Sequence, residues 1–177
     1  MTPRAPTPSQ TVGPFFHDCL LRDGARCDAI DARDGTEAIR VEGRVTDGDG
    51  LGVPDALLEV WQREGFARIG TDAEGRFAFV AVRPEPTPFD DAAMQAPHLS
   101  IAVFARGLLN HLFTRVYFED EPGTERDPVL RHVPEARRRT LIARRLHDGS
   151  LTRQYRFDIT LQGENETVFF DFRRPRS

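Results

Sequence analysis

The chain has 177 residues, of which 39% are hydrophobic and thirteen are phenylalanine. This length and apolar content allow one domain with a buried core and argue against a chain that is disordered throughout. The formal net charge of -4 argues against a nucleic-acid-binding protein, because such proteins are usually basic.

The first segment, MTPRAPTPSQ, is rich in Pro and Thr and is followed by TVGPFF. It has no apolar core of the kind found in secretory signal peptides, and no stretch approaches the ~18 apolar residues of a membrane span. Two phenylalanines after Gly13 and Pro14 favour burial. We therefore predict that residues 1–19 form an arm docked on another surface, and that residues 20–177 form the domain.

Two cysteines, Cys19 and Cys27, lie eight positions apart near the junction of arm and domain. Two cysteines do not make a disulfide scaffold, so free thiols are expected, with a bond between them as the alternative. Together with the N-terminal segment, free thiols predict a soluble protein of the cytoplasm.

Short strands follow a charged loop at residues 20–38. In IRVEGRVT, apolar and charged residues alternate, which is typical of a strand with one buried face. Turn-forming Asp-Gly and Pro residues at 47–56 separate this strand from the next. The predicted strands are residues 39–46, 57–62, a strand after a turn within 71–84, 98–105, 111–120, 153–161 and 166–172.

The segment PEARRRTLIARRLHDG, residues 134–149, changes from a period of two to a helical period. Its leucines and Ile142 share one stripe, Pro134 suits a first helical turn, and Gly149 suits a helix end. We predict a helix here with its arginines on a solvated face. The pattern as a whole predicts a mainly β fold, an antiparallel β-sandwich with one or two short helices.

Arg106 follows an apolar strand and precedes Gly107, which suits a left-handed turn position. An arginine at a strand end in a sandwich faces a rim or a cleft, where it would pair with an anionic substrate or a partner's carboxylate. An ordinary exposed arginine is the alternative interpretation.

His98 and Ser100 lie on the same face of their strand, where two histidines would clamp a metal ion. The second position is a serine, and a pair made by His98 and His111 would still need further ligands. Tyr117 and Tyr155 are predicted to pack within strands with their hydroxyls at the rim. We therefore expect this chain to bind no metal by itself.

Nucleophile and cofactor motifs are missing from the sequence. There is no G-x-S-x-G turn, no P-loop and no dinucleotide fingerprint, and Ser100 has no evident orienting carboxylate beside His98. We expect no catalytic residue in this chain alone.

Five tracts, in order over about residues 7–172, resemble alpha chains of the protocatechuate 3,4-dioxygenase family, which are intradiol ring-cleavage dioxygenases. The tracts are TPSQTVGPFFH, GRVTDGDGLGVPDALLEVWQ, APHLSIAVFARGLLNHLFTRVYFEDE, RRTLIARR and YRFDITLQGENETVFFDF. The resemblance implies an intradiol-type β-sandwich and a hetero-oligomer of alpha and beta chains. In that family, O2-dependent intradiol cleavage converts protocatechuate to 3-carboxy-cis,cis-muconate, a step of the β-ketoadipate pathway.

The resemblance also implies where the cofactor and substrate lie. Fe(III) is expected in the beta subunit, held by two tyrosinates and two histidines, and His98 and Ser100 occupy the degenerate ligand-strand positions of this chain. Thr11, Gly13 and Pro14 match the alpha-chain tract that reaches the cavity shared with the beta chain. Arg106 matches an arginine near the same cavity, where the small aromatic substrate and O2 meet.

The sequence departs from the family after Trp61 and Gln62, where relatives carry a longer excursion that supplies a ligand tyrosine in the beta chain. This makes an iron site in this chain still less expected. Two alternatives stay open at this point: a stand-alone β-sandwich binding module, and a homomeric dioxygenase that carries its own iron.

Overall fold

The computed structural model describes residues 8–13, 19–21, 27–30, 36–146 and 152–171. Within these residues the strands are β1 Ala38–Thr46, β2 Leu57–Gln62, β3 Gly65–Gly70, β4 Arg76–Val82, β5 Thr87–Pro88, β6 Met94–Gln95, β7 Leu99–Phe104, β8 Leu112–Phe118, β9 Ile142–Leu146, β10 Arg153–Arg156 and β11 Ile159–Thr160. The helical segments are α1 Glu135–Arg138 and 3-10 turns at Thr124–Arg126, Leu130–His132 and Arg139–Leu141.

Strand β1 shows how the alternating pattern builds the sheet. Its residues are buried and half-buried in turn, and Ile39, Val41 and Val45 face the core. Gly43 takes the remaining inward position because a Cβ there would lie 1.7 Å from the carbonyl oxygen of Phe157. The glycine therefore lets β1 approach the backbone at Phe157, between β10 and β11, closely.

The main sheet runs in the order β11-β1-β10-β9-β8-β7-β2-β3, and β4 pairs with β1. This nearly barrel-like sheet confirms the predicted mainly β class. It is mixed rather than purely antiparallel, because β1 pairs in parallel with β10 and β11, and β8 pairs in parallel with β9. Buried apolar side chains of the sheet form one large core cluster, and a smaller cluster forms around Tyr117, Leu130 and Leu141.

The predicted helix at residues 134–149 is wrong beyond its first turns. Helix α1 and the 3-10 turn Arg139–Leu141 are followed at once by β9, while residues 147–149 lie outside the described part of the chain. The local spacing of apolar residues suits a helix, but β9 pairs with both β8 and β10 and completes their hydrogen-bond ladders. Tertiary pairing thus overrides the local period.

Other differences concern strands. Strand β3 and the two-residue strands β5 and β6 were not predicted. Strands β10 and β11 replace the single strand predicted at 153–161, because the Asp158 carboxylate accepts the N–H of Arg44 within the ladder. The strand predicted at 166–172 is reduced to one bridge between Phe170 and Phe113 among the residues described.

Strand β7 places the two candidate sites. His98 immediately precedes β7 and Arg106 lies just beyond its end, so a strand roughly 20 Å long separates the two positions. In the part of the chain that the structure describes, no helix has the length and apolar character needed to span a bilayer.

Candidate functional site

The turn between β7 and β8 presents Arg106 at the edge of the sheet. Its side chain is 57% exposed, whereas β7 itself is largely buried. Gly107 has φ 86, as predicted for a left-handed position, and this reverses the chain directly after the arginine. The guanidinium therefore projects from a short turn on a rigid strand.

Asp55 holds this guanidinium with two hydrogen bonds. The Arg106 Nε donates to Oδ1 at 3.2 Å, and Nη2 donates to Oδ2 in the second, shorter contact. The Asp55 carboxylate is the main cause of the raised pKa of Arg106, which stays a cation. Only 16% of the Asp55 side chain is exposed, so the carboxylate is the more fixed partner.

The arm reaches the same turn. The Thr11 hydroxyl accepts a hydrogen bond from the backbone N–H of Gly107 at 2.9 Å. Gly13 has φ 68, a conformation that favours glycine, so the chain can bend just after this contact. We call Thr11, Asp55, Arg106 and Gly107 the arm site.

An apolar surface adjoins the arm site. Val12 and Leu109 are exposed large hydrophobic residues, with 44% and 59% of their surface accessible. A cavity of about 140 Å³ next to them is lined by Val12, Phe104, Ala105, Leu108, Leu109, Asn110 and His111.

The structure brings three of the four predicted cavity residues to the same region. Thr11 is bonded to the turn that carries Arg106, Gly13 is two positions away from Thr11, and Pro14 lies outside the described residues. Sequence reasoning missed Asp55. The turn-forming tract VPDA that contains it gave no indication that its carboxylate would pair with an arginine 51 positions further on.

His98 lies at the other end of β7. Its Nδ1 is 2.8 Å from the carbonyl oxygen of Ala96, and because a carbonyl only accepts, Nδ1 carries the proton. Burial lowers the pKa of His98, and the nearby charge of Arg115 lowers it further. The ring also packs against Tyr117 at a centroid distance of 5.6 Å.

A cavity of about 260 Å³ beside His98 has Ser100 and Trp61 in its lining. Trp61 pairs with Ser100 across β2 and β7, as neighbours in the sheet. One imidazole and one neutral alcohol are a poor donor set for Fe(III), a hard cation that anionic oxygen ligands suit better. Among the described residues, no three His, Cys, Asp or Glu side chains are grouped to hold a metal ion.

The two tyrosines cannot complete such a site. The Tyr117 hydroxyl donates to Asp127 at 3.0 Å, and the Tyr155 hydroxyl donates to Asp120 at 3.0 Å. Burial raises the pKa of both phenols, and each hydroxyl is already hydrogen-bonded to a carboxylate. The prediction that their hydroxyls lie at a rim was wrong, because both side chains are fully buried.

The two-histidine pair considered from the sequence is also excluded. His111 packs against Phe104 and Phe113, at the opposite end of the β7–β8 hairpin from His98. The residues around His98 therefore do not fit an iron centre, and the arm site is the candidate functional site.

Comparisons with known proteins place the chain among ring-cleaving dioxygenases, although no family model matches it. The protocatechuate 3,4-dioxygenase alpha chain of Burkholderia cepacia is 41% identical, over 97% of this chain and 100% of that relative. The protocatechuate 3,4-dioxygenase beta chain of the same organism is 30% identical, over 90% of this chain and 77% of that relative.

A solved structure supports the fold assignment. The 3-chlorocatechol 1,2-dioxygenase of Rhodococcus opacus 1CP superposes with a TM-score of 0.62 at 19% identity, covering 89% of this chain and 68% of that chain. The two proteins therefore share their fold.

Proposed function

Since the chain belongs to the family of protocatechuate 3,4-dioxygenase alpha chains and is an alpha subunit of an intradiol dioxygenase, we propose that it lends its arm site to a cavity shared with a beta chain. The substrate of this cavity is protocatechuate, and the product is the ring-opened 3-carboxy-cis,cis-muconate. The iron belongs to the beta chain, because the residues around His98 do not fit it.

The hydrogen bond between Thr11 and Gly107 carries this proposal. It joins the arm to the turn of Arg106 across 96 positions of sequence, so residues assigned to one cavity on resemblance lie together in this chain. An arm that packs beside an exposed cation offers a neighbouring chain both a wall and an anion-binding group.

Arg106 is the group that would bind the substrate. Two of its five N–H groups are used by Asp55, which leaves three for an anionic oxygen such as the carboxylate of protocatechuate. The Thr11 arm would cover the turn and limit the access of water. No residue of this chain is assigned a covalent or proton-transfer step.

The exposed apolar residues beside the arm site suit contact with a beta chain. Val12, Leu109 and the cavity between them would be covered in such an assembly. The free thiols of Cys19 and Cys27 suit a cytoplasmic enzyme. A homomeric enzyme is not supported, since His98 and His111 lie at opposite ends of the β7–β8 hairpin and the hydroxyls of the two tyrosines are hydrogen-bonded to carboxylates.

Activity measurements on the separate and combined chains test the proposal. The full chain, a beta-type chain and their co-expressed complex are each supplied with protocatechuate and O2, and oxygen uptake and ring-opened product are measured. We expect the complex to consume O2 and form product, and this chain alone to form none. Ring opening by this chain alone, or failure to associate with a beta-type chain, would contradict the proposal.

A further inference from the structure

Asp55 has an unusual backbone conformation for its position in the chain. Its φ is 56, and it is the one residue other than glycine with a positive φ in the part of the chain that the structure describes. Aspartate tolerates this region better than most residues, but the conformation still costs free energy and persists only where the surroundings impose it. Such residues are often found where a functional group must be held in place.

Thr71 imposes the conformation. Its buried hydroxyl donates to the carbonyl of Val53 at 2.8 Å and accepts the N–H of Ala56 at 2.9 Å. Its backbone N–H also donates to the carbonyl of Ala56 at 2.9 Å. The two residues that flank the Pro54–Asp55 pair are thus bonded to one buried side chain, and the direction of the Asp55 carboxylate is fixed by the core.

The fixed carboxylate in turn orients an exposed arginine. An unpaired arginine with 57% of its side chain accessible would sample many rotamers, and a ligand would have to order it on binding. The two bonds to Asp55 use Nε and one N–H of Nη2, so the remaining N–H groups point in a fixed direction. The Asp55–Arg106 pair carries no net charge. Its free N–H groups would therefore bind an anion through oriented hydrogen bonds rather than through long-range electrostatic attraction.

We propose that Asp55 is a positioning residue that preorganises Arg106 for the carboxylate of the aromatic substrate. This inference rests on the proposed function, because it takes Arg106 to face the shared cavity. The order of action runs from Thr71 to Asp55 to Arg106, and Asp55 itself does not touch the substrate.

The test uses Asp55→Gly in the alpha–beta complex, since glycine adopts φ 56 without strain and removes the side chain together with its carboxylate. We expect KM for protocatechuate to rise roughly three- to tenfold at moderate salt, with kcat and iron content unchanged. The KM of this variant should also become more salt-dependent than that of the wild type, because Arg106 is then an unpaired charge. A merely structural role for Asp55 would not produce that salt dependence.

Three further variants make the result decisive. Asp55→Asn keeps the shape and one acceptor oxygen, so a smaller shift in the same direction is expected even if the glycine variant assembles poorly. Asp158→Asn is the matched control: it removes the charge from the Asp158–Arg156 pair, while the amide oxygen can still accept the N–H of Arg44. Adding Asp55→Gly to Arg106→Ala should change nothing further, because Asp55 acts through that arginine.

The outcomes separate the two hypotheses. If Arg106→Ala alters the kinetics but Asp55→Gly does not, or if the two effects simply add, the positioning role is wrong while the proposed function stands. If Arg106→Ala itself leaves the kinetics unchanged, the cavity role of Arg106 fails, and the role of Asp55 fails with it.

Discussion

The Thr11 hydroxyl accepts the backbone N–H of Gly107 at 2.9 Å, which makes the arm and the β7–β8 turn one structural unit. Ser9 contacts Asn110 in the same turn, with a longer distance of 3.4 Å between Oγ and Oδ1. Residues 8–13 of the arm thus have a defined place on the domain near Arg106, and their geometry becomes relevant to any ligand that Arg106 binds.

Replacing Thr11 by Val tests the importance of that unit. Valine has nearly the same shape but accepts no hydrogen bond, so the N–H of Gly107 would donate to a solvent water molecule instead. A single hydrogen bond is worth about 0.5–1.5 kcal/mol, so we expect kcat/KM of the complex to fall by up to about tenfold.

Thr11→Ser keeps the hydroxyl and is the matched control, with kinetics close to those of the wild type. Deletion of residues 1–14 should weaken activity or assembly at least as much as Thr11→Val. Unchanged kinetics after the deletion would show that the arm has no part in the cavity.

Arg106→Ala should lower kcat/KM of the complex for protocatechuate by about tenfold or more, because charge-assisted hydrogen bonds to the substrate are lost. Iron content should not change, since Arg106 is not a metal ligand. Steady-state kinetics and metal analysis of the purified complex measure both quantities. Arg156→Ala, at another exposed ion pair, is the control; loss of iron in Arg106→Ala would contradict the assignment.

His98 should make the stability of the chain depend on pH in the acid range. Burial lowers the pKa of the folded-state imidazole below its ordinary value of 6.5, so the unfolded chain binds a proton that the folded chain does not. The contribution of His98 to the free energy of unfolding should therefore be fully present above pH 6.5. It should be lost as the pH falls through the lowered pKa of the folded state.

Urea unfolding of the full chain at pH 7.5 and pH 5.5 measures this effect. His98→Gln, whose amide can still donate to the Ala96 carbonyl, should lose part of the pH dependence. The control His132→Gln, at an exposed histidine, should leave the pH dependence of the free energy of unfolding unchanged. Equal pH dependence in the wild type and His98→Gln would show that His98 is not the group responsible.

Asp127 is the central acceptor of the smaller core. Its carboxylate, 1% exposed, accepts the Tyr117 hydroxyl and the N–H groups of Ala96, Val129 and Leu130. Asp127→Ala leaves these donors unpaired in a buried setting and should cost about 3 kcal/mol or more of unfolding free energy.

Tyr117→Phe removes one of those bonds and should cost about 1.5 kcal/mol, with the backbone contacts kept. Denaturant unfolding of the two variants beside the wild type gives the comparison. A larger loss for Tyr117→Phe than for Asp127→Ala would reverse the role assigned to the carboxylate.

The sequence predicted most strands because their alternation reflects burial on one face, a local property. It failed at β9, where apolar spacing suits both a helix and a strand and the neighbouring β8 and β10 decide between them. Residues 166–172 were predicted as a strand from their composition, yet the described part, up to residue 171, forms only the bridge at Phe170, because a strand also needs a partner edge.

Only part of the arm site could be predicted from the sequence. Arg106 and Gly107 were identified from a strand end and a turn glycine, and Thr11 from the resemblance of its tract. Asp55 was not identified, because its role depends on an ion pair across 51 positions and on a backbone conformation that Thr71 imposes. Neither leaves a local mark in the sequence.

Iron stoichiometry tests the central claim most directly, namely that this chain helps to form the cavity of a ring-cleaving dioxygenase while its partner holds the metal. The purified alpha–beta complex and the isolated full chain are analysed for iron and for the visible absorption of tyrosinate bound to Fe(III). We predict one iron per alpha–beta pair and none in the isolated chain. Two irons per pair, or iron with that absorption in the isolated chain, would contradict the account.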